Sequence, residues 1–435
     1  MKNKKYLIPL SILLTMSIAG CGTIHKTSND TQDNHHETIS QDSNEDSIKD
    51  VPLLGISLNY EKVSIEQGKS VSLIVSYSPS DASNKEVTWS SSDESIATVS
   101  YGKVKGVSIG SAVISATSLD GNYVASCIVT IIEAEEGTIY EHCIRAIEKS
   151  LNFGENGLPK IGSGDWNDGF STVGNKGKGE SVWLGFFLYN CIDLFEKVLK
   201  KYDKDFDTTK YENFNEKLKD NLNKKTWDGS YYLRAFFDNG DPLGSSENTE
   251  CKIDLISQSF SIISGVAPKN RLEKAITSVE EQLVDDKLKI IKLLTPPFSK
   301  TLNNPGYIMN YPEGIRENGG QYTHAVAWYL MALIKAGYYD RAYRYYQMIN
   351  PINRTKTKER VDKYKVEPYV IAADIYSSTE FPGRGGWTWY TGSAGWFYRV
   401  GVQDILGIKQ RGDKLKIDPK IPIAWDGYKA TYNYK

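Results

Sequence analysis

The sequence predicts a multidomain protein in which an all-β sandwich precedes an all-α toroid or solenoid of helical hairpins. The chain has 435 residues, which is too long for one ordinary domain. Between Val51 and Glu133 apolar and polar residues alternate, which is the period of strands. After Glu133 apolar residues recur at spacings of three and four, which is the period of amphipathic helices.

The composition excludes nucleic acid as a partner. The formal net charge is -2, so the chain has no basic excess with which to neutralise phosphates. The 28 tyrosines and 9 tryptophans raise the aromatic content to 11%. That content fits ring-stacking platforms and aromatic helical cores equally well.

Residues 1–21 predict a lipoprotein signal peptide. Three lysines precede an apolar run from Tyr6 to Ala19, which is short for a membrane-spanning helix and typical of a secretory signal. The run ends in Ser17-Ile18-Ala19-Gly20-Cys21, which resembles a bacterial lipobox. The resemblance implies cleavage before Cys21, lipidation of its thiol and an extracytoplasmic protein anchored to the membrane. A plain signal peptide or a membrane anchor with an incidental cysteine is the alternative.

Residues 22–50 predict a disordered polar tether, because this segment has almost no apolar side chains to bury. His35 and His36 have no further donors beside them, so we assign no metal site there.

Residues 51–134 predict the sandwich, with about seven short strands separated by glycine-containing turns. Predicted strands include Val71–Val75, Val87–Trp89, Ala97–Val99 and Val113–Ala116. The sequences of three segments resemble the bacterial Ig-like group 2 family: Val87–Asp93, Ile96–Val99 and Gly102–Gly106. The resemblance implies an Ig-like spacer or adhesive module that presents the rest of the chain.

Six segments after Glu133 have clear helical periodicity: Glu141–Leu151, Glu180–Lys201, Glu250–Ser264, Lys269–Gln282, Gln321–Ala336 and Ser393–Leu406. Four glycines that follow such segments are plausible C-caps: Gly154, Gly265, Gly337 and Gly407. Paired helices joined by long polar loops predict that the functional residues lie in these loops, at one rim of the toroid or solenoid.

Four loops contain the candidate functional residues: Gly164–Gly169, Tyr232–Gly240, Tyr311–His324 and Gly383–Trp396. The first places two carboxylates around an indole, which suits a sugar ring held against a proton donor, although the same residues form ordinary turns. Thr391 and Gly392 precede a predicted helix whose N-terminus could receive an oxyanion. His324 could add a donor and a charge to that pocket, or it could be a structural histidine.

Residues from about 138 to 435 resemble the C-terminal part of glycoside hydrolase family 94, the inverting phosphorylases. The likeness rests on Leu293–Phe298, Lys365–Tyr369 and the third and fourth loops, and it is greatest to cyclic β-1,2-glucan synthase C-terminal regions and β-1,2-oligoglucan phosphorylases. It implies an (α/α)6-type toroid over residues 135–407 and the start of a C-terminal β-sandwich over residues 408–435.

The resemblance also implies the roles of individual residues. The general acid of the family falls on Asp168 and the tryptophan of its glycone subsite on Trp166. Its sugar-contacting and phosphate-binding residues fall on Tyr311, Arg316, Glu317, His324, Thr391 and Gly392. Because inorganic phosphate attacks the anomeric carbon as co-substrate, the reaction needs one carboxylic acid and neither a metal nor another cofactor. The implied ligands are a β-linked gluco-oligosaccharide, such as β-1,2-glucan or a cellobiose-like sugar, and phosphate.

This sequence departs from the family at its N-terminal side. Family members place a β-sandwich and the opening helices of the toroid before this region, where this chain has the Ig-like segment. We count about nine helices, fewer than a complete (α/α)6 toroid has, and the final β segment is truncated. A second polypeptide could supply the missing helices, the chain could be a gene fragment, or it could be a catalytically inactive cell-surface glycan-binding lipoprotein.

Four cysteines follow Cys21: Cys127, Cys143, Cys191 and Cys251. They lack the paired spacing of a zinc site, and export would permit disulfides. Cys143 and Cys191 lie in apolar helical phases, which predicts buried thiols.

Overall fold

The computed structural model describes residues 50–133, 137–203, 205–389 and 391–431. The chain divides into two compact units between His142 and Cys143. The predicted signal peptide, Cys21 and nearly all of the predicted tether lie outside the described residues. Within the described ranges, every helix is too short or too polar to cross a membrane.

The first unit contains nine strands within residues 50–133. They are β1 (Gly55–Leu58), β2 (Lys62–Glu66), β3 (Ser70–Ser72), β4 (Val75–Ser78), β5 (Val87–Ser91), β6 (Ala97–Ser100), β7 (Lys103–Gly106), β8 (Gly110–Ser118) and β9 (Val124–Ile132). A four-stranded sheet has the order β2-β9-β8-β5, a three-stranded sheet the order β3-β7-β6, and β1 pairs with β4. The predicted all-β N-terminal region is confirmed.

The predicted strand Val71–Val75 is instead divided between two pairings. β3 pairs with β7, whereas β4 pairs with β1. The chain changes partner at Leu73, whose backbone N–H donates to Gly102 O at 2.8 Å and whose side chain is buried. Leu73 joins Val104, Ile114 and Val129 in the core of the sandwich.

The second unit is helical, and its described residues contain ten α-helices. They are α1 (Ile139–Ser150), α2 (Val182–Tyr202), α3 (Thr209–Lys225), α4 (Leu255–Ser264), α5 (Lys269–Gln282), α6 (Thr323–Lys335), α7 (Tyr339–Ile349), α8 (Pro351–Arg354), α9 (Lys358–Tyr364) and α10 (Gly392–Arg399). The 3-10 segment Tyr307–Asn310 and the π-helical turn Val400–Ile405 complete the set.

These helices form two layers. In the inner layer α2 packs on α4, α4 on α6 and α6 on α10, while α3, α5 and α7 pack on the outside of the helices that precede them. Nine of the ten residues of α4 and ten of the thirteen of α6 are buried, against four each in α3, α5 and α7. The layers therefore arise from how much of each helix surface is apolar.

All six predicted helical segments contain a helix, but the start of one segment and one predicted C-cap differ. The segment predicted from Glu250 begins its helix only at Leu255, because Ile253 and Asp254 pair with Thr295 and Leu294 as short strands. Gly265 is the left-handed C-cap of α4 as predicted, whereas Gly154 caps no helix because α1 ends at Ser150.

Short two-residue strands precede the inner helices and tie their loops together. They are β10 (Glu180–Ser181), β11 (Ala235–Phe236), β12 (Pro242–Leu243), β13 (Ile253–Asp254), β14 (Val284–Asp285), β15 (Ile290–Ile291), β16 (Leu294–Thr295), β17 (Gln321–Tyr322) and β18 (Asp374–Ile375). The strands β10, β13 and β17 lead directly into α2, α4 and α6. The loops that contain the candidate residues are thus gathered at the N-terminal ends of the inner helices.

A hairpin of β19 (Ile408–Arg411) and β20 (Lys414–Ile417) follows the helices. Of the β segment predicted over residues 408–435, residues 418–431 contain no strand. The four cysteines in the described ranges are free thiols. Cys127 and Cys251 are buried, whereas Cys143 and Cys191, for which the sequence predicts burial, are half-buried.

Candidate active site

The loop Gly164–Gly169 buries some of its side chains and exposes Asp168. Asp165 and Asn167 point into the protein, where Asn167 Oδ1 accepts from Gly169 N–H at 3.1 Å. Asp168 is exposed. Gly164 has φ +130°, a conformation that favours glycine, and a Cβ on Gly169 would lie 2.9 Å from Asn167 Oδ1. The tight loop therefore presents Asp168 to solvent and holds its neighbour Asn167 inside.

A fully buried ion pair anchors this loop. The Arg234 guanidinium donates to the two carboxylate oxygens of Asp165 at 2.7 and 2.6 Å, and both side chains are inaccessible to solvent. Ser181, the N-cap of α2, donates its hydroxyl to Asp165 at 2.6 Å. Arg234 Nε also lies 3.5 Å from Asp254, the N-cap of α4, and burial raises the pKa of Asp254 to about 6. The loop is thus fixed to the N-terminal ends of two inner helices.

Asp168 interacts with Tyr307 of the 3-10 segment and with Glu317 of the third loop. Burial and a hydrogen bond to Asp168 raise the pKa of the Tyr307 hydroxyl well above its ordinary value. Burial also raises the pKa of Glu317, and the Asp168 charge adds to this, while Arg316 opposes it. Glu317 Oε2 lies 3.3 Å from Arg316 Nε and has no hydrogen-bond partner among the described residues. A buried, unsatisfied carboxylate oxygen is an acceptor available to a ligand hydroxyl.

Arg316 connects the third and fourth loops. Its guanidinium lies 4.8 Å from the ring centre of Tyr311 and 5.6 Å from that of Trp387. The backbone of Arg316 has φ +52°, which is strained for a residue other than glycine. Its N–H donates to Asp374 Oδ2 at 3.2 Å, while Trp387 N–H donates to Asp374 Oδ1 at 3.1 Å. The Asp374 carboxylate therefore holds the third and fourth loops together through their backbone N–H groups.

Aromatic rings form the floor beside Trp166. The Trp166 ring packs edge-on against Tyr322 at 5.3 Å and against His324 at 5.4 Å, and it contacts Trp328 at 5.2 Å. His324 and Trp328 lie 4.4 Å apart, and Trp396 of α10 contacts both. The cluster therefore unites the first loop with α6 and α10.

The floor ends at the N-terminus of α10. Thr391 caps this helix by accepting from Ser393 N–H at 3.2 Å, and Gly392 is exposed and adjacent to the His324 ring. Burial lowers the pKa of His324 to about 4. A lowered pKa favours the neutral imidazole, so a positive charge on His324 stays a prediction. His324 can supply a neutral N–H instead, since its Nε2 is buried and lacks a hydrogen-bond partner in the described ranges.

The structure brings the predicted residues into one continuous region. Tyr322 connects the aromatic floor with the surroundings of Arg316. Its ring contacts Trp166, and its hydroxyl interacts with Arg316. Sequence reasoning does not single out Tyr307, Trp387, Asp374 or Arg234. Arg234 and Trp387 do stand in predicted loops, but nothing in the local sequence distinguishes them from their neighbours. Among the described residues, no group of three His, Cys, Asp or Glu side chains is arranged to hold a metal ion.

Two families match this chain. "Glycosyl hydrolase 94 superfamily, catalytic domain" matches residues 112–407, and "Bacterial Ig-like domain (group 2)" matches residues 54–129. The matches overlap at residues 112–129, which in the structure belong largely to β8 and β9 of the sandwich.

The relatives are long bacterial and fungal proteins. The cyclic beta-(1,2)-glucan synthase NdvB of Rhizobium meliloti is 48% identical over 297 residues, which are 68% of this chain and 10% of that protein. The N,N'-diacetylchitobiose phosphorylase of Vibrio proteolyticus is 29% identical over 312 residues, 71% of this chain and 38% of that protein. The 1,2-beta-oligoglucan phosphorylase of Listeria innocua is 24% identical over 326 residues, 67% of this chain and 29% of that protein. The chain thus spans less than two fifths of the length of each.

Proposed function

The chain belongs to the glycosyl hydrolase 94 superfamily, and from this premise we propose that it is an inverting glycoside phosphorylase for β-linked gluco-oligosaccharides. Relatives named as phosphorylases and as a β-1,2-glucan synthase support this class of activity. The observation that carries the proposal is the exposed Asp168, placed beside Glu317 and on the same loop as Trp166, which contacts His324. Phosphorolysis requires one accessible carboxyl group and a site for the phosphate, and we assign these to Asp168 and to the N-terminal end of α10.

In the proposed reaction Asp168 is the general acid. An oxygen of inorganic phosphate attacks the anomeric carbon from the face opposite the glycosidic oxygen, and the bond between that carbon and the glycosidic oxygen breaks. Asp168 gives its proton to the departing oxygen, so the products are an inverted sugar 1-phosphate and a shortened oligosaccharide. His324, Thr391 and Gly392 are proposed to bind the phosphate, and no metal or cofactor takes part.

Trp166, Tyr311, Arg316 and Glu317 are proposed to bind the sugar. Trp166 offers an indole face on the aromatic floor, while Arg316 and Glu317 offer a donor and an unsatisfied acceptor. Sugar hydroxyls need both kinds of partner, and their C–H faces stack on aromatic rings. These groups support the proposal that this region binds a saccharide.

We further propose that the helical layers belong to an (α/α)6-type toroid. The match to the catalytic domain of the superfamily supports this architecture. A second polypeptide that contributes helices is a further proposal. Lipidation at Cys21 would place the protein outside the cytoplasm on the bacterial membrane. The lipidation and this location are proposals from the sequence.

Phosphate-dependent release of glucose 1-phosphate tests the enzyme proposal. Purified protein is incubated with β-1,2-gluco-oligosaccharides or cellobiose, with and without phosphate. Asp168→Asn should abolish release, because the amide cannot protonate the leaving oxygen. Asp413→Asn, on an exposed turn between β19 and β20, should leave it unchanged. Absence of turnover by the protein, alone and together with the product of its genomic neighbour, contradicts the proposal.

A catalytically inactive glycan-binding lipoprotein is the second candidate. The observation that favours it is that Trp166, Arg316 and Glu317 offer a ring, a donor and an acceptor to a sugar whether or not Asp168 reacts. This candidate predicts saturable oligosaccharide binding that survives Asp168→Asn but weakens in Trp166→Ala. Failure to bind any glucan tested counts against it.

A further inference from the structure

Three exposed aromatic side chains stand next to the candidate site, and we call them the aromatic platform: Tyr369, Trp387 and Trp389. Their residues are 73%, 50% and 53% exposed. By contrast, Trp183 and Trp328 of the inner helices are 2% and 1% exposed. Indole and phenol rings gain free energy when buried, so adjacent rings left in water mark a ligand or partner surface.

The platform is held in place. Trp389 Nε1 donates to Glu367 Oε1 at 3.1 Å, and the rings of Tyr369 and Trp389 meet edge to face at 6.4 Å. Trp389 has φ +56°, a backbone conformation that is costly for a bulky residue. The fold therefore maintains a strained backbone at a position where the side chain remains exposed.

Arg316 joins the platform to the candidate site. Its guanidinium lies 5.6 Å from the Trp387 ring and ion-pairs with Glu317, whose pKa the Asp168 charge helps to raise. Interactions thus link Asp168 through Glu317 and Arg316 to Trp387, and Trp389 follows two residues later in the chain. A ligand long enough to span these residues would contact the site and the platform together.

We propose that the aromatic platform binds the sugar units of a β-glucan that lie beyond the two units bound at Asp168. This inference rests on the proposed function in taking a gluco-oligosaccharide as the ligand. Flat rings flanked by a carboxylate, Glu367, and a guanidinium, Arg316, match a sugar chain, which offers C–H faces for stacking and hydroxyls for hydrogen bonds. The consequence is a preference for glucans longer than a disaccharide.

Calorimetric binding in the absence of phosphate tests the platform without requiring turnover. The probes are β-1,2-linked glucose oligomers of two and of five units. We expect the wild-type protein to bind the pentamer about tenfold more tightly than the dimer. Tyr369→Ala and Trp389→Ala should each weaken pentamer binding by about three- to tenfold, the range of one aromatic stacking contact. Dimer affinity should change by less than about twofold.

Two further variants serve as controls. Tyr101→Ala removes a tyrosine that is 99% exposed on the sandwich and should leave both affinities unchanged. Trp389→Phe keeps a ring but loses the N–H bond to Glu367, and it should retain most of the pentamer affinity. Unchanged melting temperatures confirm that the variants fold.

Equal weakening of both oligomers, no weakening of either, or no measurable pentamer binding overturns the platform proposal. Length-dependent, platform-dependent binding without glucose 1-phosphate release would instead retain the platform and remove phosphorolysis. The two proposals therefore fail separately.

Discussion

Replacing Arg234 by methionine tests whether the buried ion pair holds the loop of Asp168 in place. Arg234 makes two hydrogen bonds of 2.7 and 2.6 Å to Asp165 and lies 3.5 Å from Asp254, with all three side chains almost entirely buried. The substitution leaves two carboxyl groups in the core without a cation. Removing one partner of a buried pair costs about 3–5 kcal/mol of unfolding free energy, and we expect a loss in that range.

The loss should also depend on pH. Burial raises the pKa of Asp254 to about 6, and the Arg234 charge partly opposes that rise. A carboxyl group whose folded-state pKa is raised stabilises the fold when protonated and loses that contribution as the pH increases. Without Arg234 the pKa of Asp254 rises further, so the loss caused by Arg234→Met should be larger at pH 8 than at pH 5.

Denaturant unfolding followed by tryptophan fluorescence measures this loss. Eight of the nine tryptophans lie after residue 142, so the signal reports mainly on the helical unit. The matched control is Arg344→Met, which breaks an ion pair with Asp286 whose side chains are both 56% exposed and should cost less than about 1 kcal/mol. The double variant Asp165→Asn with Arg234→Met should lose less than the sum of the single losses. A loss for Arg234→Met no greater than that of the control would refute the reasoning.

Two further predictions concern His324 and the fourth loop. Burial lowers the pKa of His324 to about 4 from an ordinary value near 6.5, so the unfolded chain takes up a proton first and stability falls as the pH drops from 6.5 towards 4. His324→Asn should lessen that fall, seen as melting temperatures at pH 7 and pH 4.5, and an unchanged pH dependence contradicts the assignment. In Gly386→Ala the new Cβ would lie 2.3 Å from Asp374 Oδ1, which should cost about 1–3 kcal/mol of unfolding free energy. The control is Gly395→Ala in α10, whose Cβ meets open space and which should stabilise the protein by about 0.5–1 kcal/mol. A similar change in the denaturation midpoint of both variants would argue against the contact between residue 386 and Asp374.

Apolar content makes the buried helix α6 recognisable from the sequence. The pattern over residues 321–336 predicts α6 nearly to its ends, and ten of its thirteen residues are buried. Burial does not decide the outer helices, because α3, α5 and α7 each bury four residues and the pattern singles out α5 alone. The early start predicted for α4 has a different cause. Ile253 pairs with Thr295, forty-two positions later, and such a partner is invisible in a local pattern.

The same limit explains which parts of the site the sequence can predict. The loops are recognisable because family motifs and turn residues are local features. Asp374 escapes prediction because its importance comes from the pairing of β17 with β18, which brings its carboxylate under Arg316 and Trp387. Tyr307 escapes prediction because a 3-10 segment docks on the first loop, where Ile308 N–H donates to Gly169 O at 3.1 Å.

Asp165 and Asp168 show how burial distinguishes two identical side chains three residues apart. Asp165 meets Arg234 in the core, whereas Asp168 faces solvent. The buried Asp165 is already bonded to Arg234 and Ser181, so Asp168 is the carboxyl group of this loop that a substrate can reach, and we propose it as the proton donor. The anchoring has a second consequence for Asp168. Because Ser181 and Asp254 are the N-caps of α2 and α4, the loop cannot shift without disturbing two inner helices. An acid catalyst needs that rigidity, since it must remain within hydrogen-bond reach of the departing oxygen.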